Sequence, residues 1–170
     1  MNSKKNLVFL GMMGSGKSSI GYLVSKKLNL KFVDIDKLIE HETGIKISNI
    51  FDKKGEKYFR DLEEKITLKV LKISSNIVSL GGGAFINENI RKEVLANHFS
   101  FWLNWNSGIL LRRIKNSKKR PLAFNSSDQE IKNLIKNRSK IYSMAKFKIN
   151  CNKLTKTEIV KKVTKIYELD

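Results

Sequence analysis

Short apolar runs alternate along the chain with longer stretches in which apolar residues return every three or four positions. The runs at 6–10, 31–34, 77–80, 99–103 and 147–150 have the length of buried strands. The stretches at 17–28, 36–43, 56–73, 87–96, 107–114, 128–144 and 155–168 have the helical period. Strands that alternate with helices in this way predict an α/β domain, because parallel neighbours need a crossover between them and the crossovers cover the sheet. The chain has 170 residues, no internal repeat and no linker-like segment, so one domain over 1–170 is expected.

Two segments say more than the pattern. In 56–73, Phe59, Leu62, Ile66, Val70 and Ile73 form a stripe that should face the core, with Arg60 at its edge. Glu63, one turn on, can hold that guanidinium in place, although a solvated ion pair would have the same spacing. The stretch from Lys115 to Asp128 breaks the periodicity: it is polar, and it carries Arg120, the chain's one proline, Pro121, and then Asn125, Ser126 and Ser127. A loop of this length inside a compact domain is read as a lid, at about 115–127.

Composition narrows the function classes. No apolar run approaches the ~20 residues of a membrane span, and the first residues lead into a strand instead of a secretory segment, so a cytoplasmic protein is expected. Cys151 stands alone and is read as a structural thiol. The net charge of +18 invites a nucleic-acid partner. However, the lysines are spread along the whole chain and aromatics are not interleaved with them as stacking platforms, so that partner is not expected. Only six of the 34 basic residues are arginines, at 60, 91, 112, 113, 120 and 138. In so lysine-rich a chain, arginine marks positions where a planar, two-pronged donor is needed.

The candidate chemistry begins directly after the first strand. Gly11-Met12-Met13-Gly14-Ser15-Gly16-Lys17-Ser18 is Gly, four residues, then Gly-Lys-Ser, opening a helix. Such a loop wraps backbone amides around phosphate oxygens, with Lys17 for the β- and γ-phosphates and Ser18 for Mg²⁺. The second strand ends Asp34-Ile35-Asp36; two residues apart in an extended chain, both carboxylates can project from the strand's end, one towards a metal's water shell and one towards an acceptor hydroxyl. Alternatively, Asp36 caps the next helix. After the third strand, Gly81-Gly82-Gly83 marks either a close approach by a ligand or a simple strand-exit turn.

Taken together, these residues closely resemble the shikimate kinase family over essentially the whole chain. The phosphate loop, Asp34-Ile35-Asp36, Glu40 with Gly44, Ile50-Phe51 with Gly55-Glu56, Phe59-Arg60 with Glu63, Gly81-Gly82-Gly83-Ala84, Arg120-Pro121-Leu122, and Arg138 before Tyr142 fall in the family's order. The resemblance implies a three-layer P-loop NTPase fold, a five-stranded parallel sheet of order 2-3-1-4-5, and transfer of the ATP γ-phosphoryl to the 3-hydroxyl of shikimate with Mg²⁺ as cofactor. It implies Lys17, Asp36 and Arg120 as catalytic residues, and Gly14, Ser15, Gly16, Lys17, Ser18, Ser19, Arg113, Arg120 and Lys153 around ATP, with Arg113 and Lys153 flanking adenine. Asp36, Arg60, Gly81, Gly82, Gly83 and Arg138 would hold shikimate, in a helical region at about 35–62. Ser18 would ligate the metal, and Asp34 would reach it through water. A monomer is expected. The chain departs from the family's usual pattern at Ser19, where threonine is usual, and at Lys153, where arginine is common. The rival readings are another small-acceptor kinase, such as a gluconate kinase, and a basic nucleotide-binding protein acting on nucleic acid.

Overall fold

Five strands, β1 (Leu7–Leu10), β2 (Lys31–Asp34), β3 (Asn76–Ser79), β4 (Phe99–Asn104) and β5 (Phe147–Asn150), form one sheet in the computed structural model of the protein, which describes residues 5–116 and 126–169. The order is β2-β3-β1-β4-β5 and every neighbouring pair is parallel, the arrangement expected of the P-loop fold. The helices are α1 (Lys17–Leu28), α2 (Ile35–Thr43), α3 (Ile47–Leu71), α4 (Glu88–Asn97), α5 (Ser107–Lys115), α6 (Asp128–Tyr142) and α7 (Lys156–Leu169), with a 3₁₀ turn at Ala84–Ile86.

Residue alternation along β1 builds both outer layers at once. Leu7 and Phe9 face a cluster with Ile20 and Val24 of α1 and Ile159 and Val163 of α7. Val8 and Leu10 face the other side, with Ile66 of α3, Ile90 of α4, Leu110 of α5 and Ile131 of α6. All four residues of β1 and of β3 are buried, which is why central strands read as continuous apolar runs. The chain leaves β1 between its neighbours β3 and β4, at the C-terminal edge of the sheet, where the direction of winding reverses and a crevice opens.

Two elements differ from the sequence expectation in ways that matter for the site and the sheet. The helix expected at 56–73 begins at Ile47 and is broken at Gly55, whose φ of 80° and ψ of 169° no other residue adopts easily. Its buried face runs Phe59, Glu63, Ile66, Thr67 and Val70, so an acid occupies a core position; Ile73 lies beyond the helix end and is 59% exposed instead of packed. The third strand begins one residue early, at Asn76, whose N–H donates to Asn6 Oδ1 at 2.9 Å.

Of the proposed lid at 115–127, Lys115 closes α5, and Ser127 caps α6 with a reciprocal Ser127–Glu130 capping box. An ion pair from Lys115 Nζ to Asp128 Oδ1 joins the two helix ends. Residues 117–125, with Arg120 and Pro121, lie outside the described residues. Among the described residues no helix is long and apolar enough to cross a membrane.

Candidate active site

The phosphate loop links β1 to α1. Gly16 is the residue before α1, with φ 89° and open space where a Cβ would stand, so its backbone conformation alone calls for glycine. Glycine supplies no capping oxygen, which leaves the helix start for an anion. Lys17 is 8% exposed and folds back over the loop, its Nζ donating to Gly11 O at 2.8 Å and Met12 O at 3.0 Å. The Ser15 hydroxyl is buried with no hydrogen-bond partner among the described residues, an acceptor-seeking group inside the loop. Ser18 is exposed and Ser19 half-buried at the start of α1.

Facing this loop, β2 ends at Asp34, whose carboxylate accepts from Lys37 N at 3.2 Å and so caps α2. The chain becomes helical at Ile35. The two acids are therefore not neighbours on one face of an extended strand; the cap is Asp34 instead of Asp36, and Asp36 sits in the first turn of α2. It still points inward: the place where a Cβ on Gly81 would stand lies 2.7 Å from Asp36 Oδ1 and 2.5 Å from Glu63 Oε1. Burial pushes the Asp36 carboxyl above the usual aspartate range, Lys17 and Arg60 pull against it, and Asp34 and Glu40 add to it.

The three glycines after β3 are the hub of this side. Gly81 leaves room for the two carboxylates, and a Cβ on Gly83 would stand 2.5 Å from Arg60 Nη1, so the guanidinium lies directly on the backbone. Arg60 Nη1 donates to Glu63 Oε2 at 2.7 Å, and Nη2 lies 3.4 Å from Glu56 Oε1. Glu63 is 2% exposed; burial raises its pKa and Arg60 counters it. From the opposite side, Arg138 Nη1 donates to Gly82 O at 3.4 Å, and the Tyr142 hydroxyl donates to the same oxygen. Burial pushes the Tyr142 hydroxyl up to about 12, so it stays a donor at any working pH. The Arg60–Glu63 pair is thus half-buried and aimed at the glycine turn, not a solvated surface pair, and the turn itself is a place of close approach.

On the outer face of the phosphate loop, Trp105 Nε1 donates to Ser15 O at 2.8 Å. Arg113 Nη1 donates to Gly14 O at 3.2 Å, and its Cζ lies 3.9 Å from the centre of the Trp105 ring. Lys153 is exposed in the turn between β5 and α7; next to it, Asn152 Oδ1 accepts from Asn106 N at 2.6 Å, which ties that turn to the exit of β4.

Among the described residues no three acids, histidines or cysteines gather as a metal cage. Ser18 and Asp34 line one groove. A hydroxyl and a carboxylate are hard oxygen donors, and they fit a Mg²⁺ that brings the rest of its shell as phosphate oxygens and water.

The structure gathers Lys17, Asp36, Arg60, Gly81, Gly82, Gly83 and Arg138 around the crevice, and sets Arg113 on the loop's outer side. Glu63 holds Arg60 as its spacing allowed. Two other participants were given no role from the sequence. Tyr142 had a signal, four residues after Arg138 and so on the same helical face. Trp105, just past a strand, had none.

The family model described as shikimate kinase matches residues 13–168. A shikimate kinase of Sulfurihydrogenibium sp. (strain YO3AOP1) is 42% identical over 95% of this chain and 98% of its own length. The crystal structure of shikimate kinase from Aquifex aeolicus, 36% identical, superposes with a TM-score of 0.86 over 96% of each chain. The solved structure of shikimate kinase from Acinetobacter baumannii in complex with shikimate is 27% identical, with a TM-score of 0.90 over 97% of this chain and 93% of that one. The chain belongs to the shikimate kinase family and is, with it, a phosphotransferase that uses ATP.

Proposed function

We propose that the protein transfers the γ-phosphoryl group of ATP to the 3-hydroxyl of shikimate, giving shikimate 3-phosphate and ADP. One observation carries this reading: around Gly81–Gly83, two carboxylates and two guanidinium groups converge beside the Lys17 ammonium. An acceptor with one carboxylate and several hydroxyls has the matching groups.

In this reading Gly14, Ser15, Gly16, Lys17, Ser18 and Ser19 hold the polyphosphate, and Arg113 and Lys153 flank the base. Arg60 and Arg138 grip the shikimate carboxylate as two-pronged donors, with Gly81, Gly82 and Gly83 presenting backbone to the ring. Asp36 accepts the hydroxyl proton as that oxygen bonds to the γ-phosphorus and the bond to the β-bridging oxygen breaks. Lys17 neutralises charge spreading onto the phosphoryl oxygens. Mg²⁺, held by Ser18 and through water by Asp34, would supply further neutralisation and alignment of the β- and γ-phosphates. Arg120 is assigned to the phosphates from a lid at about 115–127 that excludes water on closure. The whole of 1–170 is taken as one kinase domain, with the acceptor region at about 35–62, acting in the cytoplasm as a monomer.

A coupled assay of ADP release with ATP·Mg²⁺ and a panel of acceptors tests it. Turnover on shikimate with negligible turnover on gluconate or nucleoside monophosphates is expected; equal turnover on gluconate contradicts it.

A further inference from the structure

Trp105 stands directly after β4, half-buried, and packs against the apolar clusters on both faces of the sheet. Its position is therefore set by the core, not by the surface. From there it makes two directed contacts. The indole N–H holds the Ser15 carbonyl at 2.8 Å, and the ring face carries the Arg113 guanidinium, 3.9 Å above its centre. Arg113 in turn holds the preceding carbonyl, Gly14 O, at 3.2 Å. Two consecutive carbonyls of the phosphate loop are thus drawn to one outer side.

Peptide planarity converts this into an orientation of amides. In a trans peptide the N–H points opposite to the C=O, so holding Ser15 O outward turns Gly16 N–H towards the loop's interior. The Gly14–Ser15 peptide obeys the same rule: Ser15 N donates inward, to Met12 O at 3.1 Å. Without an outer anchor, a glycine-rich loop of this kind has many conformations to lose on binding an anion. Trp105 also covers one face of Arg113, which leaves the other for a planar group.

We propose that Trp105 is a positioning residue for the nucleotide: through its N–H it presets the phosphate loop, and through its ring face it presets Arg113 as a platform for the base. The proposal rests on the kinase reading and adds a residue and a division of labour within the nucleotide site. The two contacts are separable, because phenylalanine keeps a ring face and loses the donor, whereas leucine loses both.

Calorimetric titration with ADP and with pyrophosphate, in the presence of Mg²⁺, reads the two contacts apart. Trp105→Phe should weaken ADP and pyrophosphate alike, by about three-fold, through the loop. Trp105→Leu should weaken ADP by about ten-fold or more, and pyrophosphate no further than Trp105→Phe does. Shikimate KM should stay put in Trp105→Phe, which separates positioning from general loosening. Combining Trp105→Leu with Arg113→Ala should cost less ADP affinity than the two single changes added together. The proposal is overturned if folded Trp105→Phe binds pyrophosphate as tightly as the unaltered protein, if shikimate KM rises in step with that for ATP, or if the double variant is additive. An unaltered protein that binds neither ADP nor pyrophosphate overturns the kinase reading and this inference together. Tight binding by the unaltered protein, matched by both variants, overturns this inference alone.

Discussion

Gly81 is where the site's geometry is least forgiving, because any Cβ there meets two carboxylates, the buried Glu63 and the half-buried Asp36, whose positions are already fixed, Glu63 by Arg60 and Asp36 by α2. Gly81→Ala should cost about 1–3 kcal/mol of strain, taken up by moving those acids, and should raise shikimate KM about ten-fold while ADP affinity holds. Steady-state kinetics beside an ADP titration checks the split; an unchanged shikimate KM contradicts it. Asp36 makes a second prediction. Burial raises its pKa, so the acid limb of kcat/KM should lie above the ordinary aspartate range, rate being lost as falling pH protonates the base. Asp36→Asn should abolish transfer and keep ADP binding. These roles were unequally legible in the sequence. Lys17 and the phosphate loop are fixed by local spacing, but the pairing of Asp36 with Glu63 across Gly81 is tertiary, made by three elements meeting, and no spacing rule contains it. Strand alternation misplaces Asp34 and Asp36, since the chain turns helical at Ile35, directly after the strand ends.

Elements followed the apolar pattern closely wherever burial alone decides. β1 and β3, buried on both faces, stand out in the sequence, and their crossover helices follow from the period. The first part of α3 did not stand out, because Ile47–Lys54 spans barely two turns before Gly55 interrupts it, and a short stretch ending in glycine reads as a loop. That break sets the angle between the Ile47 end of the helix and the segment carrying Arg60 and Glu63. Its backbone at φ 80° and ψ 169° has open space around it, so only conformation opposes a side chain there. Gly55→Ala should destabilise the protein by about 1–3 kcal/mol, read as a lower urea midpoint with unchanged slope. A midpoint equal to that of the unaltered protein would mean that the break carries no strain for alanine.

At the scale of the whole molecule, the net charge of +18 acts on anions of every kind, ATP and shikimate included. If the lysine excess is a diffuse field and not a nucleic-acid surface, it should raise encounter rates without altering the chemical step. The prediction is that kcat/KM for ATP falls several-fold as ionic strength rises from roughly 0.02 to 0.3 M at fixed Mg²⁺, while kcat changes little, because screening shortens the field's reach to about 10 Å or less. An unchanged kcat/KM across that range would remove charge from the account. The central claim is that phosphoryl transfer ends on the 3-hydroxyl of shikimate, and phosphorus NMR of a reaction holding the protein, ATP·Mg²⁺ and shikimate tests it in one spectrum. The account predicts one new phosphomonoester signal, coupled to the proton on carbon 3 and growing mole for mole with ADP. Inorganic phosphate growing with ADP at a rate independent of shikimate would contradict it.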